Sequence, residues 1–371
     1  MHILITGGCG FVGAQLALHL KSRGHCVLAM DNLVRRGSER NISRLKRHGI
    51  EFVHGDVRNR EDFAVLPRSL DFVCDTSAQP SVVAGYANPV FDFTNNTFGV
   101  VNVLEFVRQR GCPLIFWSTN RVYSADKVNA FPIREDETRF RWDCEAFRHQ
   151  MNGRTVEGFD PAFGFSEKFS VDGSNRSLYG LSKLMADLAC QEYAQAYDLK
   201  VVVNRFGVLS GEGQFGKTDQ GWVVWWAVAH WFGLPLKYLG WNGKQVRDIL
   251  FIEDLCRLVD VQIEHLDRIS GEVFNVGGGE ANSLSLVEAT ALLQKKLQRK
   301  IPISYEETPR QADTCLYVTD NRKIERMLGW KPRVGIAEGY DRILAWIEEN
   351  EAELREFYVA NVPESLRKAG G

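Results

Sequence analysis

A doubly wound parallel α/β sheet carrying a smaller, discontinuous α/β lobe is the fold predicted by this 371-residue sequence. Three observations lead there. The chain opens with an apolar run that breaks into closely spaced glycines and resumes with helical periodicity. Further short apolar runs, ending in polar or acidic residues, alternate with helical segments as far as about residue 205. Beyond that point the pattern loosens into a tryptophan-rich stretch, with helices interleaved among a few more strand-like runs.

Composition narrows the class before any motif is read. With 44% hydrophobic and 25% charged residues the chain can bury a large core, and a formal net charge of −2 argues against unspecific binding to nucleic acid or to a membrane surface. The eight cysteines (9, 26, 74, 112, 144, 190, 256 and 315) are scattered, without a C-x-x-C pair and without clustered histidines. Neither a metal site nor a disulfide framework is expected, and reduced thiols suit a cytoplasmic protein. No apolar run reaches membrane-spanning length, and the first residues enter a strand pattern directly, with no basic leader.

Taken in order, residues 2–6 form an apolar strand followed by Gly7-Gly8-Cys9-Gly10-Phe11-Val12-Gly13 and a helix closed by Gly24. Glycines at 7, 10 and 13 let the backbone approach a pyrophosphate, and the first turn of the helix offers unpaired N–H groups to it. A second strand, 26–30, ends in Asp31, where a carboxylate can accept hydrogen bonds from ribose hydroxyls and would repel a 2′-phosphate. That favours NAD, although Arg35 and Arg36 close behind leave NADP open. The run 51–55 leads to Asp56-Val57, and 71–74 leads to Asp75-Thr76-Ser77-Ala78-Gln79. A helix over 96–109 and a buried strand over 113–117 follow, the strand ending in Ser118-Thr119. A hydroxyl there faces the crevice at the carboxyl ends of the strands, in reach of a reacting alcohol oxygen.

Tyr179 and Lys183 then stand one turn apart on a helix predicted over 179–196. An ammonium beside a phenol stabilises the phenolate, which would make Tyr179 a base. Alone the pair carries little weight, since tyrosine and lysine at this spacing occur on many solvated helices.

In this order and strand context, the glycine turn, Asp31, Asp56, Ser77-Ala78, Thr119 and Tyr179-x-x-x-Lys183 resemble the extended short-chain dehydrogenase/reductase superfamily, in its sugar-nucleotide epimerase and dehydratase branch. Residues 96–102, 243–248, 274–277, Arg310 and Asp313 extend the likeness over nearly the whole chain. The resemblance implies a Rossmann-type sheet and bound NAD. The implied cofactor contacts are Gly7, Gly10, Phe11, Val12, Gly13, Asp31, Asn32, Asp56, Val57, Ser77, Ala78, Gln79, Asn96, Ser118, Tyr179, Lys183 and Phe206. Thr119, Tyr179 and Lys183 would be catalytic. Gln79, Asn120, Asn204 and Gln220 would hold the sugar of a nucleotide-sugar substrate, and Arg247 and Arg310 its diphosphate. Residues 1–205 would form the NAD-binding domain and 206–371 mainly the substrate lobe, with about 248–278 returning to the first domain. Pairing of the helices 96–109 and 179–196 between two copies would give a homodimer.

Two departures bear on the reaction. Dehydratases of the branch carry Asp-Glu directly after the strand-end threonine; here those positions are Asn120 and Arg121, so the extra acid and base are missing. Oxidation and return of hydride to the opposite face needs only Thr119, Tyr179, Lys183 and the cofactor. Residues 118–123, 219–223, 243–248 and 282–286 look most like the CDP-paratose 2-epimerase (CDP-tyvelose epimerase) family, which implies an isomerase acting at C2 of a CDP-hexose. A 4-epimerase or a reductase using the same residues, or a non-catalytic dinucleotide sensor, remain as alternatives. The second departure is the long stretch 124–177, rich in aromatics and charges, expected to be an irregular connection acting as a lid or an assembly surface, while Asp75-Thr76 replace the family's usual His-Leu.

Overall fold

The computed structural model describes residues 1–359. Seven strands form the main sheet: β1 (His2–Thr6), β2 (Cys26–Asp31), β3 (Glu51–His54), β4 (Phe72–Asp75), β5 (Leu114–Thr119), β6 (Val201–Phe206) and β7 (Val273–Val276). All are parallel, in the order β7-β6-β5-β4-β1-β2-β3. Their near-continuous apolar runs are what a sheet covered on both faces requires. Helices α1 (Phe11–Ser22) and, much later, α5 (Ile252–Glu264) cover one face, over Ile3, Ile5, Ile115 and Trp117. Helices α2 (Gly99–Arg110) and α3 (Ser177–Tyr197) cover the other, over Leu4, Val73, Leu114 and Phe116. The order reverses between β1 and β4, so the carboxyl ends of these two strands open the crevice where a doubly wound sheet binds its ligand.

Register makes that edge chemically specific. Thr6 aligns with Met30 on one side and Asp75 on the other, Asp75 with Phe116, and Thr119 with Phe206. The polar residues that end the apolar runs therefore share one rim.

The second lobe is built on four short strands, Val208–Ser210, Val246–Phe251, Ser283–Ser285 and Leu316–Tyr317. Packed with them are α4 (Trp222–Phe232), α6 (Leu286–Leu297), α7 (Ile336–Glu349) and α8 (Glu351–Tyr358), around a core containing Val224, Trp226, Leu293, Ile343 and Ile347. The tryptophans of α4 pack here: Trp226 is buried and donates to Thr290 Oγ1 at 3.0 Å, with Trp225 and Trp231 half-buried beside it. Ile343 and Ile347 form the buried stripe of the charged tail, with Leu344 and Trp346 half-buried; the end of that tail, 360–371, lies outside the described residues. The chain leaves the main sheet after β6, returns to it with α5 and β7, and leaves again at Ser283.

Residues 124–177 are not irregular. They fold into an antiparallel pair (Ile133–Glu135 with Phe140–Trp142), a helix (Cys144–Met151) and a two-residue pair (Phe159–Asp160 with Gly164–Phe165). What organises them is aromatic packing: Phe131 stacks on Phe159 at 3.9 Å, and Phe165 lies parallel to Tyr317 of the second lobe at 5.2 Å. Arg139 reaches across to Glu288 Oε2 (2.8 Å) and the Ser283 carbonyl (2.7 Å). The sequence shows the aromatics and Arg139 but not the second-lobe groups that receive them, Tyr317 and Glu288, which lie more than a hundred residues away. Among the described residues no helix is long and apolar enough to cross a membrane, and no group of His, Cys, Asp or Glu is arranged to hold a metal ion.

Candidate active site

The nucleotide end is shaped by backbone. Gly7 has φ +69°, and a methyl group there would sit 2.8 Å from the Ser77 backbone. On Gly13 it would sit 2.2 Å from the Gly7 carbonyl oxygen, so the turn folds onto the start of α1 with no room for a side chain. Gly10 caps α1 without a side-chain hydrogen bond, leaving the first-turn amides at Phe11, Val12 and Gly13 for an anion. A cavity of about 240 Å³ adjoins the turn, lined among others by Gly7, Gly10, Asp31, Asn32, Val57, Ser77, Ala78 and Gln79. Asp31 is fixed at its edge, accepting from the Cys9 amide (3.0 Å) and the Leu33 amide (2.8 Å); burial pushes its carboxyl above the ordinary range, against those two bonds. Asp56 is held by Arg58 at 2.6 Å and by Asn32 Nδ2 at 3.0 Å.

Three expected cofactor contacts are turned elsewhere. Asn96 is fully buried and ties the Gln79 carbonyl to Asp92 and Ser182. Ser118 donates to Asp187 Oδ2 at 2.6 Å, into the interior behind α3. Phe206 stacks on Trp117 at 6.0 Å and is buried.

Thr119, Tyr179 and Lys183 do converge. Thr119 ends β5, and α3 is drawn against the turn that follows because Gly180 has no side chain: a methyl group there would lie 2.3 Å from the Arg121 carbonyl oxygen. This sets the Tyr179 phenol beside the Thr119 hydroxyl. Burial pushes the phenol up to about 12, opposed by that hydroxyl and by the charge of Arg121, with Asp92 adding to the rise. Lys183 is buried, its Nζ 4.2 Å from the centre of the Phe116 ring and without a hydrogen-bond partner in the protein. Burial lowers its ammonium, opposed first by Asp75 and then by Cys190, Asp187 and Asp92. From the sequence, Lys183 is expected to lower the Tyr179 pKa. Within the protein itself, Arg121 is the cation that acts on the phenol.

Arg121 was visible in the sequence only as the place where a carboxylate is missing. It donates to the Ala312 carbonyl (2.9 Å) and to Asp313 Oδ1 (3.1 Å), and Arg247 meets the same oxygen at 2.6 Å. Burial works against the Asp313 carboxylate, but Arg247 and Arg121 together outweigh it and hold its pKa at about 2. Arg247 is itself buried and also donates to the Val246 and Thr314 carbonyls, which draws its Nη1 and Nη2 groups into the protein; Arg310 is half-buried and bonded to the Thr218 carbonyl. Asn204 points away from the crevice, in a reciprocal amide pair with Gln262 of α5 at 2.9 and 2.8 Å. The Gln79 amide is consumed by Ser81 and Asp92, and Gln220 accepts from Arg35 beside the glycine turn. Of the four residues expected to hold the sugar, only Asn120 stays at the strand end, 3.5 Å from the Thr119 hydroxyl.

The NAD dependent epimerase/dehydratase family matches residues 3–146 and 154–277. The chain belongs to this family. It is 35% identical to CDP-paratose 2-epimerase of Salmonella typhi, over 93% of this chain and 99% of that one. It is 27% identical to dTDP-glucose 4,6-dehydratase of Xanthomonas campestris, over 94% and 93%. Among solved structures, UDP-glucose 4-epimerase of Thermus thermophilus in complex with NAD superposes with a TM-score of 0.71 at 25% identity, covering 94% of this chain and 99% of that one. NAD is accordingly the cofactor of this enzyme, and the site fits it: the glycine turn leaves room for nothing but backbone beside a pyrophosphate, the α1 amides face it, and the Asp31 carboxylate stands at the ribose end.

Proposed function

We propose that this enzyme epimerises a nucleotide sugar, at C2 of a CDP-hexose of the CDP-paratose/CDP-tyvelose type, by oxidation to a ketosugar and return of hydride to the opposite face. The observation that carries the reading is the Tyr179–Thr119 contact with Asn120 and Arg121, not carboxylates, next in the chain. A dehydratase needs a further acid and base there. An epimerase does not. The likeness to the Salmonella typhi enzyme supports the choice of carbon and of nucleotide.

NAD, when bound, supplies a hydride acceptor that later gives the hydride back. Thr119 orients the reacting hydroxyl, and Tyr179 takes its proton as the carbon is oxidised, then returns a proton to the same oxygen as the alcohol re-forms. A phenol held at about 12 is a poor base at neutral pH. Arg121 is the cation that favours its phenolate within the protein, and Lys183 would hold the nicotinamide ribose and, through it, add its charge beside the phenol. Arg121 replaces the missing carboxylate with the opposite charge, which disfavours elimination of water and favours a developing oxyanion.

The exposed Leu181, Met185 and Leu188 on the outer face of α3, with Phe98 nearby on the turn that precedes α2, support a homodimer through these helices, and the spread of unpaired cysteines suits a cytoplasmic enzyme. The test of the reaction is a panel of CDP-, UDP-, GDP- and dTDP-hexoses, with product stereochemistry read by NMR on substrate deuterated at C2. Inversion at C2 with the label retained is expected. Washout of deuterium to solvent, or stoichiometric consumption of added NADH, would overturn the reading.

A further inference from the structure

We propose that Asp75 is the counter-ion that positions the Lys183 ammonium, a role the sequence shows only as a departure from the family's usual residue. The inference rests on Tyr179 and Lys183 being the redox base and its partner. Asp75 ends β4, fully buried, and is aligned with Thr6 of β1 on one side and Phe116 of β5 on the other. Residues paired across a parallel sheet point to the same face and stand about 4.8 Å apart. Here that is the face covered by α3, and the Lys183 Nζ sits directly over the Phe116 ring.

Every hydrogen bond to Asp75 goes to one of its two oxygens. Oδ1 accepts from the Thr6 hydroxyl (2.6 Å), the Ser77 hydroxyl (2.5 Å) and the Ser77 amide (3.1 Å). Oδ2 is buried with no partner, and Lys183 Nζ is buried with none. Two unpaired groups of opposite charge on one face, one register position apart, complete each other.

The other charged groups around Lys183 are already committed. On its own helix, Asp187 is paired with Arg205 at 2.8 Å and bonded by Ser118 and Gln191, and Cys190 is a buried thiol whose pKa is pushed well up by burial. From the segment before α2, Asp92 accepts from Ser182, Gln79 and Asn96. On β6, Arg205 is taken by Asp187 and Tyr123, and after β5 Arg121 is taken by Asp313. From α2 the contacts are apolar, through Val100, Val103 and Leu104. Asp75 is left as the carboxylate with a free lobe, and it is also the charge that most strongly supports the ammonium against burial. Thr6 and Ser77 keep the carboxylate from turning toward the cofactor crevice, so that its free oxygen addresses the lysine.

The test is a set of variants of the full-length holoenzyme. Asp75→Asn keeps shape and removes charge; the alkaline limb of the kcat profile, where Lys183 loses its proton, is expected to fall by about one pH unit or more. Asp75→Glu is expected to restore the limb in part. An unmoved limb in Asp75→Asn overturns the proposal, because a merely structural residue would lower kcat at every pH alike. Should Asp75→Asn fail to fold, melting of Lys183→Met and of the Lys183→Met/Asp75→Asn double variant decides. The lysine variant strands a buried carboxylate, so adding Asp75→Asn is expected to raise its melting temperature; a cost equal to that in wild type overturns the counter-ion. Full turnover by Lys183→Met with this coupling intact would overturn the redox-base reading alone.

Discussion

The two ends of the crevice are made of different material. At the nucleotide end the shape is backbone: a left-handed glycine at 7, a helix start at 11–13 and two amides fixing Asp31. At the Tyr179 end the shape is side-chain charge brought from distant parts of the chain, with Arg121, the cation that acts on the phenol, and Arg247 meeting on Asp313. Backbone shape tolerates most changes of side-chain chemistry and no added volume. A charge cluster tolerates volume and no change of sign. The first recognises what a whole family shares, and the second is where a particular substrate can be selected.

The largest effect is expected where neither property can substitute for the chemistry. Tyr179→Phe keeps the ring and its packing but removes the hydroxyl beside Thr119 that carries the proton. Turnover should fall about 10²- to 10⁴-fold with bound NAD unchanged, measured by single-turnover assay and by cofactor content of the purified protein. Loss of NAD together with turnover would show that the two ends are not separable in this way.

Next is the charge cluster. Asp313→Asn leaves Arg121 and the buried Arg247 without their shared carboxylate, and stability should fall by about 3 kcal/mol at pH 7 in urea unfolding. The pH dependence follows from the direction of the shift. Asp313 is held at about 2 in the folded protein against 3.8 for a free side chain, so its contribution is complete above about pH 4 and is lost as the pH falls toward 2. The gap between wild type and Asp313→Asn should therefore be constant from pH 7 to about pH 5 and close below pH 4. A gap that persists at pH 2.5 would mean that the hydrogen bonds, rather than the charge, carry the effect. At the other end, Gly13→Ala should weaken NAD about tenfold or more, some 1.4 kcal/mol, by forcing the Gly7 carbonyl out of place. A titration of cofactor-free protein reads it, and an affinity equal to wild type would show that the turn yields more easily than its geometry implies.

The same contrast decides what could be read from the sequence. Gly7, Gly10, Gly13, Asp31 and Thr119 are placed by their offset from a strand end, which is local, and spacing alone finds them. Asn204, Gln79 and Gln220 sit at similar offsets, but their partners Gln262, Asp92 and Arg35 are set by packing between elements, and no local pattern announces that their amides are consumed. Arg121 was legible only as an absence, because its meaning lies in Asp313, on a strand entry of the second lobe. Asp75 stands out in the sequence for the same reason, and its relation to Lys183 shows only when β4, β5 and α3 are set together. The segment 124–177 shows the limit most clearly: its phenylalanines are plain in the sequence, while the surface that receives them, around Tyr317 and Val318, belongs to the end of the chain.

That segment also supplies the smallest expected effect. Lys244 joins it to the second lobe through an exposed contact with Glu135 Oε1 at 2.7 Å and the Asp136 carbonyl at 3.1 Å. Lys244→Ala removes both, yet the Phe140 amide still donates to the Lys244 backbone carbonyl, and the aromatic rings are untouched. An exposed ion pair contributes at most about 1 kcal/mol, and added salt screens it. By contrast Phe165, fully buried between Phe159, Phe169 and Tyr317, should cost about 3–5 kcal/mol when truncated to alanine. Melting of the two variants side by side, with and without 0.5 M salt (about a 4 Å screening length), separates the contributions. A Lys244→Ala loss approaching that of Phe165→Ala would place the hold on this segment in its charges.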